Sequence, residues 1–180
     1  KDADYFRDAP NDGNLNMTFM LGSGLEFFPD NHYLGVRILR LISMGCMEPV
    51  VTSDKKEYVS LQFIKEPHSG DIYDEVFYTF LQGAAGSDGM LQDKELEKFC
   101  KDTAHAKSLN SIMKKCEADG TTAIIHKGCF KGADTKNLKK LTSEGNKQLQ
   151  EILGLKRYLQ EFSLINERSI NETIIWQDYM

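Results

Sequence analysis

Apolar residues near the start of the chain recur with the period of a helix. Met17, Met20 and Leu21 have this spacing, so a short helix is predicted from about Asn16 to the glycines at residues 22–24. The residues before it are polar and rich in turn formers, which predicts an irregular entry into the fold.

The next helix has a clearer apolar face. Asp30 or Asn31 can cap its start, and Gly45 can end it in the left-handed conformation. Its apolar residues follow steps of four, three and one: Leu34, Ile38, Leu41 and Ile42. Arg37 and Arg40 are predicted to fall away from this face.

Beyond residue 50 the apolar period changes to two. Val50 and Val51 precede a charged turn at residues 53–56, and the following residues alternate as in a hairpin with one buried face. Two helices and a hairpin with a polar tip are typical of a winged helix. Residues 1–66 are therefore predicted to form a first winged-helix-like unit.

The pattern repeats loosely in residues 67–132, which are predicted to form a second winged-helix-like unit. Its predicted elements are a helix over 72–83, a loop over 86–89, a helix over 91–101, a helix from Asp102 or Thr103 to Gly120, and a strand over 121–125. The short strand makes the wing of this unit stunted.

Residues 133–180 are predicted to form a helical tail that packs on the preceding units. The main tail helix covers residues 141–162, and a further helix opens near Asn171 and carries Trp176. The predicted fold class is α+β, mainly α, with two winged-helix-like units followed by this tail.

Charge and composition narrow the function classes. A net charge of −5 speaks against a general polyanion binder, and a hydrophobic fraction of 41% is ordinary for a globular protein. No run approaches the roughly 18 apolar residues that cross a bilayer, so the sequence as given is expected to be soluble. The four cysteines form no C-x-x-C pair and are expected to be reduced thiols in the cytoplasm.

Candidate chemistry is sparse, and no catalytic residue, metal or cofactor is predicted. The combinations weighed were Cys116 with His126 and Cys129 as zinc ligands, Cys100 with His105 as a nucleophile pair, Glu95 with Glu97 as an acid–base pair, and the glycine-rich residues 83–89 as a phosphate loop. Each lacks the ligand number, third group, cleft or G-K-[ST] ending that its chemistry needs. Core thiols, solvated charges and a flexible connection explain them better.

The tail also carries a family resemblance. Residues 154–163 read G-L-K-R-Y-L-Q-E-F-S, an L-T-S-E-G segment precedes them at 141–145, and a W-Q-D-Y segment follows at 176–179. Upstream, M-G-C-M at 44–47 is similar to a family helix end that reads R-G-Y-L. Together these segments resemble the cytoplasmic region of the bacterial YciQ-like family of predicted membrane proteins of unknown function.

The resemblance implies an extracytoplasmic domain and membrane helices outside this chain. It therefore places the full-length protein in the cell membrane with this region on the cytoplasmic side. Many relatives carry a membrane hairpin where this chain has only residues 127–140. Either this member lacks the hairpin, or the sequence joins two cytoplasmic segments from which a hairpin between Phe130 and Leu141 was removed; we expect the second.

Two partner classes remain open after these exclusions. The first interpretation is a non-catalytic interaction or scaffold region with an unknown protein partner, and membrane association through segments absent from this chain. The alternative is a nucleic-acid-binding regulator, disfavoured by the acidic charge. Its candidate contacts are Arg37, Arg40, Lys55, Lys56, Lys107, Lys114 and Lys115. Four aromatic residues fit either a partner patch or the core: Phe27, Phe28, Tyr33 and Tyr78.

Overall fold

The computed structural model describes residues 4–23, 30–52, 58–132, 134–135 and 137–162. The helices are α1 (Leu15–Ser23), α2 (Asp30–Ser43), α3 (Ile72–Ala84), α4 (Asp93–Lys101), α5 (Thr103–His126) and α6 (Ser143–Phe162). The strands β1 (Met47–Thr52), β2 (Tyr58–Phe63) and β3 (Met90–Gln92) form one antiparallel sheet in the order β1-β2-β3. The predicted class, α+β and mainly α, is confirmed.

Contacts divide the chain into two compact units. Unit 1 comprises residues 1–30 and 116–180, and unit 2 comprises residues 31–115. This division differs from the one predicted at residues 66 and 132. The reason is that the hairpin and the helices on either side of it share one core, which a boundary at residue 66 would cut.

The core of unit 2 lies between its sheet and the helices α2 and α3. Met47 pairs with Phe63 and Leu61 pairs with Leu91, so inward-facing side chains of the three strands meet on one face. The buried members of this core are Leu41, Cys46, Met47, Tyr78, Leu81, Ala84 and Leu91. Gly45 has a φ of +64°, so α2 ends at the left-handed glycine that the sequence predicted.

The core of unit 1 joins α1, the C-terminal part of α5, and α6. Its buried members are Met17, Leu21, Ile124, Cys129, Phe130 and Ile152. Phe130 and Leu141 form an isolated antiparallel bridge, and the Lys131 amide donates to the Lys140 carbonyl at 2.8 Å. The segment of ten residues between them therefore starts and ends at neighbouring points of unit 1.

The strand predicted over residues 121–125 is wrong, because α5 continues without a break to His126. Ile124 is buried in the core of unit 1, and the Thr122 hydroxyl donates to the Ala118 carbonyl at 2.8 Å, one turn back in the helix. Tertiary packing outweighs the strand preference of β-branched residues here. The stunted second wing is therefore absent.

A short strand was missed where the sequence predicted the start of a helix. Residues 90–92 are β3, and α4 begins only at Asp93. All three strands of the described chain lie in unit 2, where the hairpin and β3 form a common sheet.

For two of the four aromatic residues, the structure decides between a partner patch and the core. Tyr33 and Tyr78 are buried, so they belong to the core of unit 2. Phe27, Phe28 and the predicted helix with Trp176 lie outside the described residues.

Candidate functional site

A group of charged and polar side chains lies between α2 and α3 in unit 2. Tyr33, Arg37 and Arg40 follow steps of four and three along α2, which places them on one face. Asp71 caps the start of α3, and Asp74 lies in its first turn. We call these five residues the arginine cluster.

Arg37 lies at the centre of the arginine cluster. Its Nη1 donates to Asp71 Oδ2 at 2.7 Å and to Asp74 Oδ1 at 2.8 Å. Its Nε and Nη2 donate to the Tyr33 hydroxyl at 3.1 and 2.9 Å. Only 1% of Arg37 and none of Asp74 is exposed to solvent. Charged hydrogen bonds therefore replace the water that both groups lose on folding.

A second arginine completes the charge balance. Arg40 Nε donates to both oxygens of Asp74, at 3.0 and 2.9 Å, and the Ser69 hydroxyl donates to Asp74 Oδ2 at 2.6 Å. Two arginines thus face two aspartates, and Asp74 accepts from three side chains. The arginine cluster can therefore hold α2 against α3.

The surroundings of Arg37 keep it charged. Burial alone would lower the pKa of its guanidinium, but Tyr33 and Asp71 raise that pKa above its usual value. The rings of Tyr33, Tyr73 and Phe77 lie 5.4 to 5.8 Å from the guanidinium carbon. Arg37 is therefore a permanent internal cation.

The predicted orientation of Arg37 is wrong. It was expected to point away from the apolar face of its helix as a nucleic-acid contact, yet it is buried. Arg40 keeps 32% of its side chain exposed, but its Nε is engaged by Asp74. The physical reason is that Asp71 and Asp74 offer partners that make burial of a guanidinium tolerable.

Sequence reasoning missed Asp71, Asp74 and Tyr33 as partners of the arginines. The available signal was local: an Asp-x-x-Asp pair at the start of one helix, and a tyrosine one turn before an arginine on another. Only the fold brings the two helices together, so this signal alone does not identify the pair.

The lysine candidates have a different placement. Lys107, Lys114 and Lys115 are exposed on α5, at steps of seven and one that keep them on one side of the helix. Lys55 and Lys56 lie outside the described residues. The three exposed lysines of α5 are therefore accessible to an anionic partner.

A shallow groove of about 370 Å³ lies beside α4 in unit 2. Its lining includes Phe99 and His105, whose rings stack with centroids 3.6 Å apart, and the carboxylates of Glu95 and Asp102. Glu95 accepts the Gln92 amide, and Asp102 accepts the amides of Ala104 and His105. These two amides lower the pKa of Asp102, so it stays ionised as a helix cap.

The cysteine and metal candidates do not converge. No disulfide joins any of the four cysteines, which all lie in the described part of the chain, and Cys46, Cys116 and Cys129 are buried. Within the described ranges, no three His, Cys, Asp or Glu side chains lie close enough to hold a metal ion. The glycine-rich residues 83–89 lead into β3, with Asp88 Oδ1 accepting the Met90 amide at 3.0 Å.

Comparisons of this chain with known proteins identify no relative. Each helix of the described part is too short or too polar to span a membrane. No family model, curated protein or solved structure matches the chain.

Proposed function

We propose that the chain is a non-catalytic interaction or scaffold region of a bacterial membrane protein of the YciQ-like type, held on the cytoplasmic side. The observation that carries the proposal is the burial of Arg37 and the engagement of Arg40 by Asp74. Two of the cations that a nucleic-acid reader would present are used to hold unit 2 together. The acidic net charge of −5 points the same way.

The geometry around residues 131–140 supports the membrane placement. Both ends of this segment meet at the bridge between Phe130 and Leu141. A longer insertion can leave and return at such a point without disturbing the core, because loop closure costs rise slowly with length. A membrane hairpin between these two residues is therefore compatible with unit 1.

Nucleic-acid binding is the second candidate function, and one specific observation favours it. Lys107, Lys114 and Lys115 are exposed on one side of α5. Phosphate contacts of this kind release counterions and give a steep salt dependence.

Photo-crosslinking of the full-length protein in bacterial cells separates the two functions. A benzophenone side chain replaces exposed Leu39 on α2, exposed Ile72 on α3, or Lys114 on α5, each in a separate variant. We expect adducts that protease removes and nuclease leaves intact. Adducts removed only by nuclease would contradict the proposal.

A titration with random duplex DNA provides the second arm. We expect no anisotropy change at low salt for the chain. Binding that weakens with salt, and that is lost in a Lys107→Gln, Lys114→Gln, Lys115→Gln triple variant, would instead establish the nucleic-acid function.

A further inference from the structure

A segment outside the helices and strands lies along the C-terminal half of α6 in unit 1. We call residues 4–9 the strap, and Gly154, Arg157, Tyr158 and Glu161 the clamp. Steps of three, one and three along α6 place the clamp residues on one face. All four belong to the stretch that carries the family resemblance.

The strap backbone touches the clamp at Gly154. A Cβ atom added there would lie 2.2 Å from the Asp4 carbonyl oxygen and 3.0 Å from the Phe6 Cβ. Any larger residue at this position must therefore displace the strap or the helix. Glycine costs helix stability in the interior of α6, and the close approach explains its presence there.

Side chains from the strap and the clamp interleave on either side of this contact. The Tyr5 hydroxyl donates to the Glu161 carboxylate, and the Arg157 guanidinium lies 4.6 Å from the centroid of the Tyr5 ring. The Arg7 guanidinium lies 5.1 Å from the centroid of the Tyr158 ring. Arg157 Nε also donates to Glu161 Oε1 at 2.8 Å, which fixes the two clamp residues relative to each other.

The spacing of the strap residues matches an extended chain. Tyr5 and Arg7 are two residues apart, and alternate side chains of an extended segment point to the same side. Both can therefore reach α6 at once. Each contacts a complementary group on α6: the Tyr5 ring contacts the guanidinium of Arg157, and the Arg7 guanidinium contacts the ring of Tyr158.

The strap is held less firmly than the turn that follows it. Tyr5 and Arg7 are exposed, so their contacts compete with water. Asn11 is only 1% exposed, its amide donates to Glu151 Oε2 at 3.1 Å, and its Nδ2 donates to the Thr18 hydroxyl at 2.8 Å. We therefore expect an opening of the strap to stop at Asn11.

We propose that the clamp is a binding site for an extended segment with tyrosine and arginine two residues apart, that the strap occupies it, and that the strap detaches while unit 1 stays folded. The inference does not rest on the proposed function. It assigns a binding role to four residues of α6. It also implies that unit 1 has two states, one with the strap bound to the clamp and one with the strap detached.

Chymotrypsin cleavage after Phe6 in the full chain measures strap release. A protease needs an extended, detached segment, so the cleavage rate follows the open fraction when reclosing is fast. We expect Gly154→Val to raise the rate at least tenfold. An Arg157→Glu, Glu161→Arg exchange, which keeps the composition and the ion pair of α6, is expected to raise it several-fold.

Gly35→Ala serves as the matched control, because a Cβ at Gly35 meets no atom within 4 Å. Its cleavage rate is expected to stay within twofold of the unmodified chain. Equal rates in all variants would overturn the clamp. Equal acceleration of cleavage after Phe19 in α1 would overturn the release, because unit 1 would then be unfolding as a whole.

Discussion

The two units stabilise similar helices by different means. In unit 2, α2 and α3 are joined by a buried charge cluster in which Arg37 and Asp74 are almost fully excluded from water. In unit 1, α5 and α6 instead carry glycines where another backbone comes within contact distance: Gly120 meets Asn16, Gly145 meets Cys129, and Gly154 meets Asp4. Unit 2 therefore depends on charge balance, and unit 1 on the absence of side-chain volume.

The largest expected effect is the loss of one charge from the arginine cluster. Asp74→Ala leaves Arg37 buried with Asp71 as its remaining carboxylate, so the free energy of unfolding should fall by about 3–5 kcal/mol. Hydrogen exchange in α2 and α3 measures this loss within unit 2. Unchanged protection would mean that the charges are not what joins these helices.

A second variant tests whether charge itself is needed. Replacing both members of the pair, Arg37→Met with Asp74→Leu, removes the buried guanidinium together with its buried carboxylate and fills the space with apolar groups. We expect this double variant to recover most of the stability lost in Asp74→Ala, because a buried ion pair exchanged for well-packed apolar side chains is often neutral. Arg40 can then turn to water, since 32% of its side chain is already exposed.

The next effect is in unit 1 and comes from a single methyl group. In Gly145→Ala, the new Cβ would lie 2.1 Å from the Cys129 carbonyl oxygen, which is backbone and cannot rotate away. Overpacking of this kind costs about 1–3 kcal/mol, although alanine is the better helix former. Thermal unfolding followed by hydrogen exchange in α6 measures the change.

Gly35→Ala provides the opposite expectation in unit 2. The added methyl group meets no atom within 4 Å, so only the gain in helix propensity remains, and stability should rise by about 0.5–1 kcal/mol. Equal effects of the two glycine substitutions would remove the contrast drawn between the units.

The glycines also show where sequence reasoning fails. Gly45 and Gly120 both follow an apolar helical pattern, and both were predicted to end a helix. Gly45 does so with a φ of +64°, whereas Gly120 lies inside α5 and faces the Asn16 backbone. A capping glycine and a packing glycine look alike until the neighbouring segment is known.

The elements that were predicted correctly have a strong local signal. Residues 30–43 carry a clear apolar face and are followed by the left-handed Gly45, and their helix is confirmed. Strand β3 spans three residues and exists through its pairing with β2, which no local pattern encodes. Arg37 was misjudged for the same reason, since Asp71 and Asp74 are more than thirty residues away.

The smallest expected effect is a change in the pKa of Glu161 when the strap loses its hydrogen bond to this residue. The hydrogen bond from Tyr5 and the ion pair with Arg157 lower the pKa of Glu161 below its usual value of 4.5. The docked strap thus favours the ionised carboxylate. This contribution to stability is fully present above pH 4.5 and is lost as the pH falls through the lowered pKa.

Carboxyl chemical shifts in the full chain should show the pKa of Glu161 moving up in Tyr5→Phe, which lacks the hydroxyl donor. Glu97 is the internal control, because Lys101 and not Tyr5 lowers its pKa. A pKa of Glu161 that is the same in both proteins would mean that the Tyr5 hydroxyl does not contact Glu161, and that the strap is held without this hydrogen bond.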